Sequence, residues 1–398
     1  VTVGPQGTIE NGTVLIVDGR IVAVGADVEV PSGADVIDAS GKVVTPGLFS
    51  PLSQLGLVEV SSSAGPTDGS QRGEQFTAGF DVADAYNPRS TLIAINRIEG
   101  VTRTVSAPSP GYPDESGGGH IIAGLAAVVN LGDSDAIDMR NAAVVVALGE
   151  SGSYFTGGTR SAAWLTLRNA LDEALDYRDH KADFERGMRR TYVHSMADLE
   201  ALQGVINGNT PMIVSVNRAS DIEVLMGFVD EYSVQAIIFG GAEAWMLADK
   251  LAAADIPVIV DPTANLPGSF DSINARLGAA TVLANAGVKI AIGDGDTHNA
   301  RNLTQAAGNA VAHGLDWDAA LRAITLAPAE IFGMASTAGS LEVGKAADVV
   351  IWPGDPLELT NYPDHVFIKG KAVPMVSRQT LLRDRYLQTD GGPPAYRN

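Results

Sequence analysis

The sequence predicts an α/β protein, a (β/α)8 TIM-like barrel with a small β domain that both chain ends build together. Three observations carry this expectation. Short apolar runs alternate with helical periods through the middle of the chain, the pattern of strands joined by crossover helices. Those runs are nearly continuous in Val, Ile and Ala, as strands buried on both faces are. Short strands with tight turns recur at both ends of the chain. Its 398 residues also exceed the roughly 250 typical of one such barrel.

Taken in order, Thr13–Val24 (TVLIVDGRIVAV) holds two apolar runs joined by Asp18-Gly19. That pair is favoured in primed hairpin turns because both central residues take positive φ. Residues 36–44 add a further turn and strand. Strand candidates follow at Val43–Phe49, Val101–Ala107, Ala142–Leu148, Pro211–Val216, Val234–Phe239, Ile256–Val260 and Val288–Ile292. The remaining barrel strand is expected between Glu150 and Pro211. The same stretch reads as a helix over Ser161–Arg190, with Trp164, Leu167, Leu171, Ala174 and Leu175 at three-to-four spacing behind Ser161 as a cap. Later helices are expected from Ser220 or Asp221 to Val229, over Ala242–Ala254, over Leu303–His313 behind Asn302 as N-cap, and over Asp316–Leu326. Strands Ala347–Trp352 and His365–Val373 close the chain. The Gly-, Ser- and Pro-rich stretches 61–80 and 108–120 directly follow strand candidates, so in a barrel they lie over the face where barrel sites sit.

Composition narrows the chemistry. The 27 Lys and Arg stand against 47 Asp and Glu, a net charge of −20 whose field repels nucleic acid. The longest apolar stretch, Ile121–Leu131, is well short of the roughly 20 residues a spanning helix needs, so no membrane span is expected. No cysteine is present, which excludes disulfides, thiolate metal sites and cysteine nucleophiles. Ser50, Ser53 and Ser215 are nucleophiles by type alone, with no G-x-S-x-G elbow around them. Gly117–Gly119 is no phosphate loop, because no GK[ST] follows it.

The two flanks then carry a resemblance. GTVLIVDGRIVAVG (Gly12–Gly25) followed by GKVVTPGLF (Gly41–Phe49), together with TLAPAEIFGM (Thr325–Met334) and AGSLEVGKAADVVIW (Ala338–Trp352), is similar to the flanks of the amidohydrolase superfamily, in its imidazolonepropionase-like and urease-like branches. The resemblance implies a composite β-sandwich from residues 1–45 and 338–398 beside a barrel over 46–337. It also implies hydrolysis of amide and related C–N bonds with Zn or another divalent metal, which lowers the pKa of a bound water.

The family's ligand pattern meets this chain unevenly. The first motif, PGLIDxHxH, falls on Pro46–Gln54 and puts Leu52 and Gln54 at its two histidine positions. A bridging lysine has no counterpart, since Lys181 alone lies between Lys42 and Lys250 and sits in a helical stretch. The strand-five histidine position offers Ser215 or Asn217, and the strand-six position offers glycine. The strand-eight aspartate is kept as Asp294, with Asp296 the close alternative. Of the six histidines only His120 and His298 are placed to face the barrel mouth. Those two with Asp294 or Asp296 are the donors from which a relocated three-ligand site would have to be built.

The expectation is a site without its metal and a chain without a cofactor: a non-catalytic or ligand-binding subunit, in a hetero-oligomer with an active homologue or in a homo-oligomer. The alternative is a hydrolase acting on amide or cyclic amide bonds through a rearranged site, with Asp294 and His298 catalytic. A small-molecule or peptide-like ligand would meet Gln54, His120, Ser215, Asn217, Arg218, Glu243, Asp296 and Arg301. Arg218 and Arg301 suit a bidentate carboxylate, with salt bridges inside the scaffold as the other use. Glu243, beside Trp245, equally suits a helix start. Val1 in place of an initiator Met, together with resemblance to exported members, favours a periplasmic or exported protein after signal removal.

Overall fold

Asp18 and Gly19 sit at φ 49° and 78°, and the hairpin they close joins β1 (Thr13–Val17) to β2 (Arg20–Gly25) as the dipeptide predicts. This is a computed structural model describing residues 1–2, 4, 7–60, 65, 67–71, 76–110 and 120–387. The expected strand Val43–Phe49 is divided at Gly47 into β3 (Val43–Pro46) and β4 (Leu48–Ser53). Gly47 is required at the division, because a Cβ there would lie 2.1 Å from Thr102 Oγ1. β3 belongs to the terminal β region, and β4 opens the barrel.

The barrel continues through α1 (Thr91–Arg97), β5 (Val101–Ser106), β6 (Ile122–Asn130) and β7 (Ile137–Ala147). Next come α2 (Gly149–Tyr154), α3 (Arg160–Glu185), α4 (Met196–Ile206) and β8 (Met212–Val216). Regular alternation follows with α5 (Ala219–Tyr232), β9 (Ala236–Gly240), α6 (Ala248–Ala253), β10 (Val258–Val260), α7 (Ala279–Asn285) and β11 (Ile290–Ile292). The eight strands lie in the order β11-β10-β9-β8-β7-β6-β5-β4, a sheet curled almost closed. At the seam a Cβ on Gly293 would meet Pro51 Cγ at 2.8 Å, so strand ends one and eight touch.

The remaining strand is not between Glu150 and Pro211. It is β6, which runs antiparallel to both β5 and β7. A crossover helix is therefore replaced by a hairpin at the bottom, between β6 and β7. The hairpin is secured by Asn130, whose Nδ2 donates to Asp135 O (2.8 Å), Ala136 O (3.1 Å) and Asp138 Oδ1 (3.0 Å). The Ile121–Leu131 run gave no helix because it is a strand buried along its whole length. The stretch between Glu150 and Pro211 is helical instead, with α3 starting behind Thr159 rather than Ser161 and broken at His180 (φ −131°). The expected helix 242–254 is a short 3-10 turn followed by α6.

Strand parity separates two cores. Leu48, Met212, Val214, Val258, Ile290 and Ile292 face outward onto the helix layer. Phe49, Val105, Ile213, Ile237, Ile259 and Ala291 fill the barrel. α8 (Leu303–Ala312) and α9 (Trp317–Ala323) continue that helix layer. After α10 (Leu326–Ile331), Phe332 and Met334 join Ala329 in the inner core and plug the bottom. The described residues end with β12 (Val349–Trp352), β13 (His365–Ile368), β14 (Lys371–Ala372) and α11 (Arg378–Leu387). The order β14-β13-β12-β3 forms one antiparallel sheet. The β1–β2 hairpin packs on it through Ile21, Val44, Leu341, Val349 and Ile351, so both ends of the chain share a β-sandwich core.

Buried charge joins this sandwich to the barrel. Arg103 on β5 bonds Asp138 Oδ2 at 2.7 Å and also pairs with Asp348, while Lys369 Nζ reaches Asp138 Oδ1 at 2.9 Å. Burial alone would lower the Arg103 pKa, but the two carboxylates hold it up.

Candidate functional site at the barrel mouth

The C-terminal ends of the parallel strands define the mouth, and parity decides which side chains reach it. Two residues beyond inward-facing Ile213, Ile237, Ile259 and Ala291 stand Ser215, Phe239, Asp261 and Gly293. At the end of β4, Leu52 packs against the inner apolar core. Gln54 is committed to loops: its Nε2 donates to Gly69 O (3.0 Å) and Ser109 Oγ (3.3 Å), and its backbone N–H donates to Thr297 Oγ1 (3.1 Å). It ties together the segments after β4, β5 and β11.

The strand-eight loop is a chain of aspartate turns. Asp294 Oδ1 accepts the Asp296 N–H (2.9 Å), and Asp296 accepts both the N–H and the Nδ2 of Asn299 (3.0 and 3.1 Å). Desolvation raises the Asp294 pKa, and the charges of Asp296 and Asp261 raise it further, although the residue is open to solvent overall. His298 and Arg301, further along, meet α11. Gln379 lies 3.4 Å from His298 Nε2 and accepts from Arg301 Nη1 at 2.9 Å. Arg301 also lies in the field of Glu99, whose pKa burial raises and Arg301 pulls back.

Asn217, Arg218 and Glu243 surround the start of α5. Asn217 Oδ1 accepts the Ala242 N–H (3.3 Å), a packing so close that a Cβ on Gly240 (φ 90°) would stand 2.6 Å from that oxygen. Glu243 is 5% exposed and caps α5 rather than its own segment. Its Oε2 accepts the Ala219 N–H (2.9 Å), and its Oε1 accepts Asn274 Nδ2 (2.9 Å). Arg218 is exposed beside Asp221.

His120 is placed elsewhere, at the head of β6. Its ring stands perpendicular to that of His194, with centroids 5.8 Å apart. Burial first, and His194 second, lower its pKa to about 4. His194 reads in the sequence only as a residue preceding a helix, and nothing in spacing could pair it with a residue 74 positions earlier. Next to them Asp198 accepts the Thr77 and Gly79 N–H groups (2.7 and 2.9 Å), which anchors the loop after β4. Gly117–Gly119 lie outside the described residues.

A divalent ion needs at least three donors at these strand ends. The donor set does not fit one: Leu52 is apolar, the Gln54 amide is engaged, and Ser215 and Gly240 offer no imidazole. Among the described residues no group of three or more His or acidic side chains is placed to hold a metal. His120, His298 and the Asp294–Asp296 pair are not assembled into one.

Comparison with known proteins adds the following. A model of the amidohydrolase family matches residues 171–373, just over half of the chain. The amidohydrolase tasK of Hapsidospora irregularis is 23% identical over 396 residues, an alignment covering 92% of this chain but only 39% of that protein. A crystal structure of an amidohydrolase from Thermotoga maritima MSB8 superposes with a TM-score of 0.79 at 24% identity, covering 91% of this chain and 94% of that one. An adenosine deaminase from Xanthomonas campestris with bound zinc shares the fold more loosely, with a TM-score of 0.52 and 16% identity over 96% of this chain and 94% of that one. These relatives correct the expectation of a chain without a cofactor. The matching family and a zinc-bound neighbour point to a divalent metal, and the histidine positions read from the sequence were too narrow a basis for excluding it.

Proposed function

The chain belongs to the amidohydrolase family, and from that premise we propose that it is a ligand-binding, non-catalytic member working beside an active homologue in a hetero-oligomer. The observation that carries this is the end of β4, where Leu52 belongs to the inner core and the Gln54 amide clamps two loops. The reading concerns turnover and not metal content. The carboxylates of the strand-eight loop are bound to their own turn, Asp294 to the Asp296 N–H and Asp296 to Asn299. Exposed Arg218 at the end of β8 is the cation placed to meet a ligand carboxylate, so a small acid or a peptide-like acid is the expected ligand class.

One observation favours the second reading, hydrolysis of an amide or cyclic amide. Asp294 holds its proton more tightly than an ordinary carboxyl, as a general acid–base group requires. The two readings separate on one experiment. Dipeptides and N-acyl amino acids are screened by thermal shift, and the recovered ligand is then analysed chemically. A ligand that raises Tm, is recovered intact and loses its effect in Arg218→Ala supports the binding reading. A ligand recovered as cleaved products overturns it.

A further inference from the structure

The part of the barrel mouth whose donors do not fit a divalent ion is apolar. Leu52 at the end of β4 and Phe239 at the end of β9 both pack on the inner core of Ile213, Ile237, Ile259 and Ala291. Those core residues are buried, whereas Leu52 and Phe239 are only partly so. Both stand at C-terminal strand ends with the core beneath them, so what they leave open faces the mouth. The Phe239 ring reaches as far as the strand-eight loop. A Cβ on Gly295 (φ 76°) would lie 2.8 Å from Phe239 Cζ, so the loop needs glycine to pass the ring. Two hydrocarbon side chains therefore floor the mouth. A charged group set on them would lose water without gaining a partner, whereas a hydrocarbon group is favoured there.

Charge divides the rim around this floor. On the β8 side, Asp221 lies in the field of Arg218 but is bonded by Arg160 at 3.0 Å. Arg218 is thereby left exposed and open to a ligand. On the β10 and β11 side stand Asp261, Asp294 and Asp296, close enough that the charges of the other two raise the Asp294 pKa. That side repels an anion. Ser215 and Phe239 are register partners on β8 and β9. Arg218 is three residues beyond Ser215, so the two Cα atoms are at most roughly 10 Å apart. A ligand with its carboxylate at Arg218 thus reaches the floor with a chain of a few carbons, and its far end is not a second carboxylate.

With Arg218 holding the carboxylate as proposed above, we infer that the floor of Leu52 and Phe239 takes the hydrocarbon end of a monocarboxylic acid.

Titrations followed through the ligand's proton NMR signals, with acetate, hexanoate, 6-aminohexanoate and hexanamide, test both ends of the ligand. Hexanoate is expected to bind about tenfold or more tightly than acetate, through the methylenes it buries. 6-Aminohexanoate, whose charged end is not at home on the floor, is expected to bind more weakly than hexanoate. Phe239→Ala is expected to remove most of the preference for hexanoate over acetate, with its fold checked by thermal melting. Leu52→Gln, which makes the floor polar at similar volume, stands in should Phe239→Ala not fold. Hexanoate binding no tighter than acetate, or not at all, would overturn the floor. The Arg218 reading would survive that result if acetate still bound and Arg218→Ala abolished it. Hexanamide binding as tightly as hexanoate, weakened by Phe239→Ala but not by Arg218→Ala, would overturn the Arg218 reading and leave the floor standing. Tighter binding of 6-aminohexanoate would assign the far end of the ligand to the aspartates and overturn the proposal. A hexanoate affinity that depends on added zinc would place a metal on the floor and overturn it equally.

Discussion

The bottom of the barrel and its strand-eight loop are built on opposite terms. At the bottom, Arg103, 4% exposed, is shared between Asp138 and Asp348, and Phe332 and Met334 plug the interior. Those contacts link segments that lie far apart in the chain, up to 245 residues for Arg103 and Asp348. At the mouth, the aspartates of the strand-eight loop are exposed and bond to residues two or three positions away. Long-range buried contacts hold the fold, while local exposed ones can change without disturbing it. This is the division of labour of a barrel whose bottom face stabilises and whose loops at the top carry function.

The comparison breaks first at Arg103. Arg103→Leu leaves two buried carboxylates without their cation and is expected to cost about 3–5 kcal/mol in urea unfolding. Adding Asp138→Leu and Asp348→Leu should recover most of the loss, because the unpaired charges carry the cost. Phe332→Ala, at 3% exposure in the plug, is expected to cost about 3–5 kcal/mol by opening a cavity. An unchanged urea midpoint in either variant would show that the bottom does not anchor the fold.

Smaller effects sharpen the comparison nearer the mouth. Glu243→Ala removes the acceptor for Ala219 N–H and Asn274, and is expected to cost about 1–3 kcal/mol in the same experiment. Asp198 is held below the usual carboxylate range: burial opposes this, but Ser195, Gly79 and Thr77 outweigh it. A depressed folded pKa gives stability that is present above the unfolded value, about 3.9, and is lost as pH falls through the folded value. Acid unfolding of Asp198→Asn is therefore expected to be flatter with pH than that of the parent chain. Asp294 has the opposite sign. Its folded pKa is raised, so its charged form weighs against the folded state at neutral pH, and the penalty fades as pH falls. Asp294→Asn should raise Tm slightly at pH 7 and leave it unchanged in acid. A lower Tm at pH 7 would show that the carboxylate supports the loop.

The sequence made the fold legible wherever local chemistry specified it. Asp18-Gly19 determined a hairpin through positive φ, and the Val- and Ile-rich runs marked β5 and β8 to β11 by continuity alone. β6 was hidden because strand–helix alternation puts the remaining strand further along the chain, between Glu150 and Pro211, whereas β6 pairs antiparallel with both neighbours and needs no crossover helix to β7. The site was less legible. Asp294 as a turn residue follows from its own loop, but the Glu243 cap on α5 and the His120–His194 pair are contacts between distant segments, which no spacing reports. The cofactor expectation failed for a related reason: absent histidines at motif positions describe those positions and not the whole chain.

The most direct test of the non-catalytic reading is turnover with metal supplied. The chain and Asp294→Asn are each incubated with one equivalent of zinc or manganese, and cyclic amides and dipeptides are followed by mass spectrometry. The account predicts product at the level of the protein-free control for both chains. Product formed by the parent chain and abolished in Asp294→Asn, with Tm preserved, would contradict it and make this chain a working hydrolase.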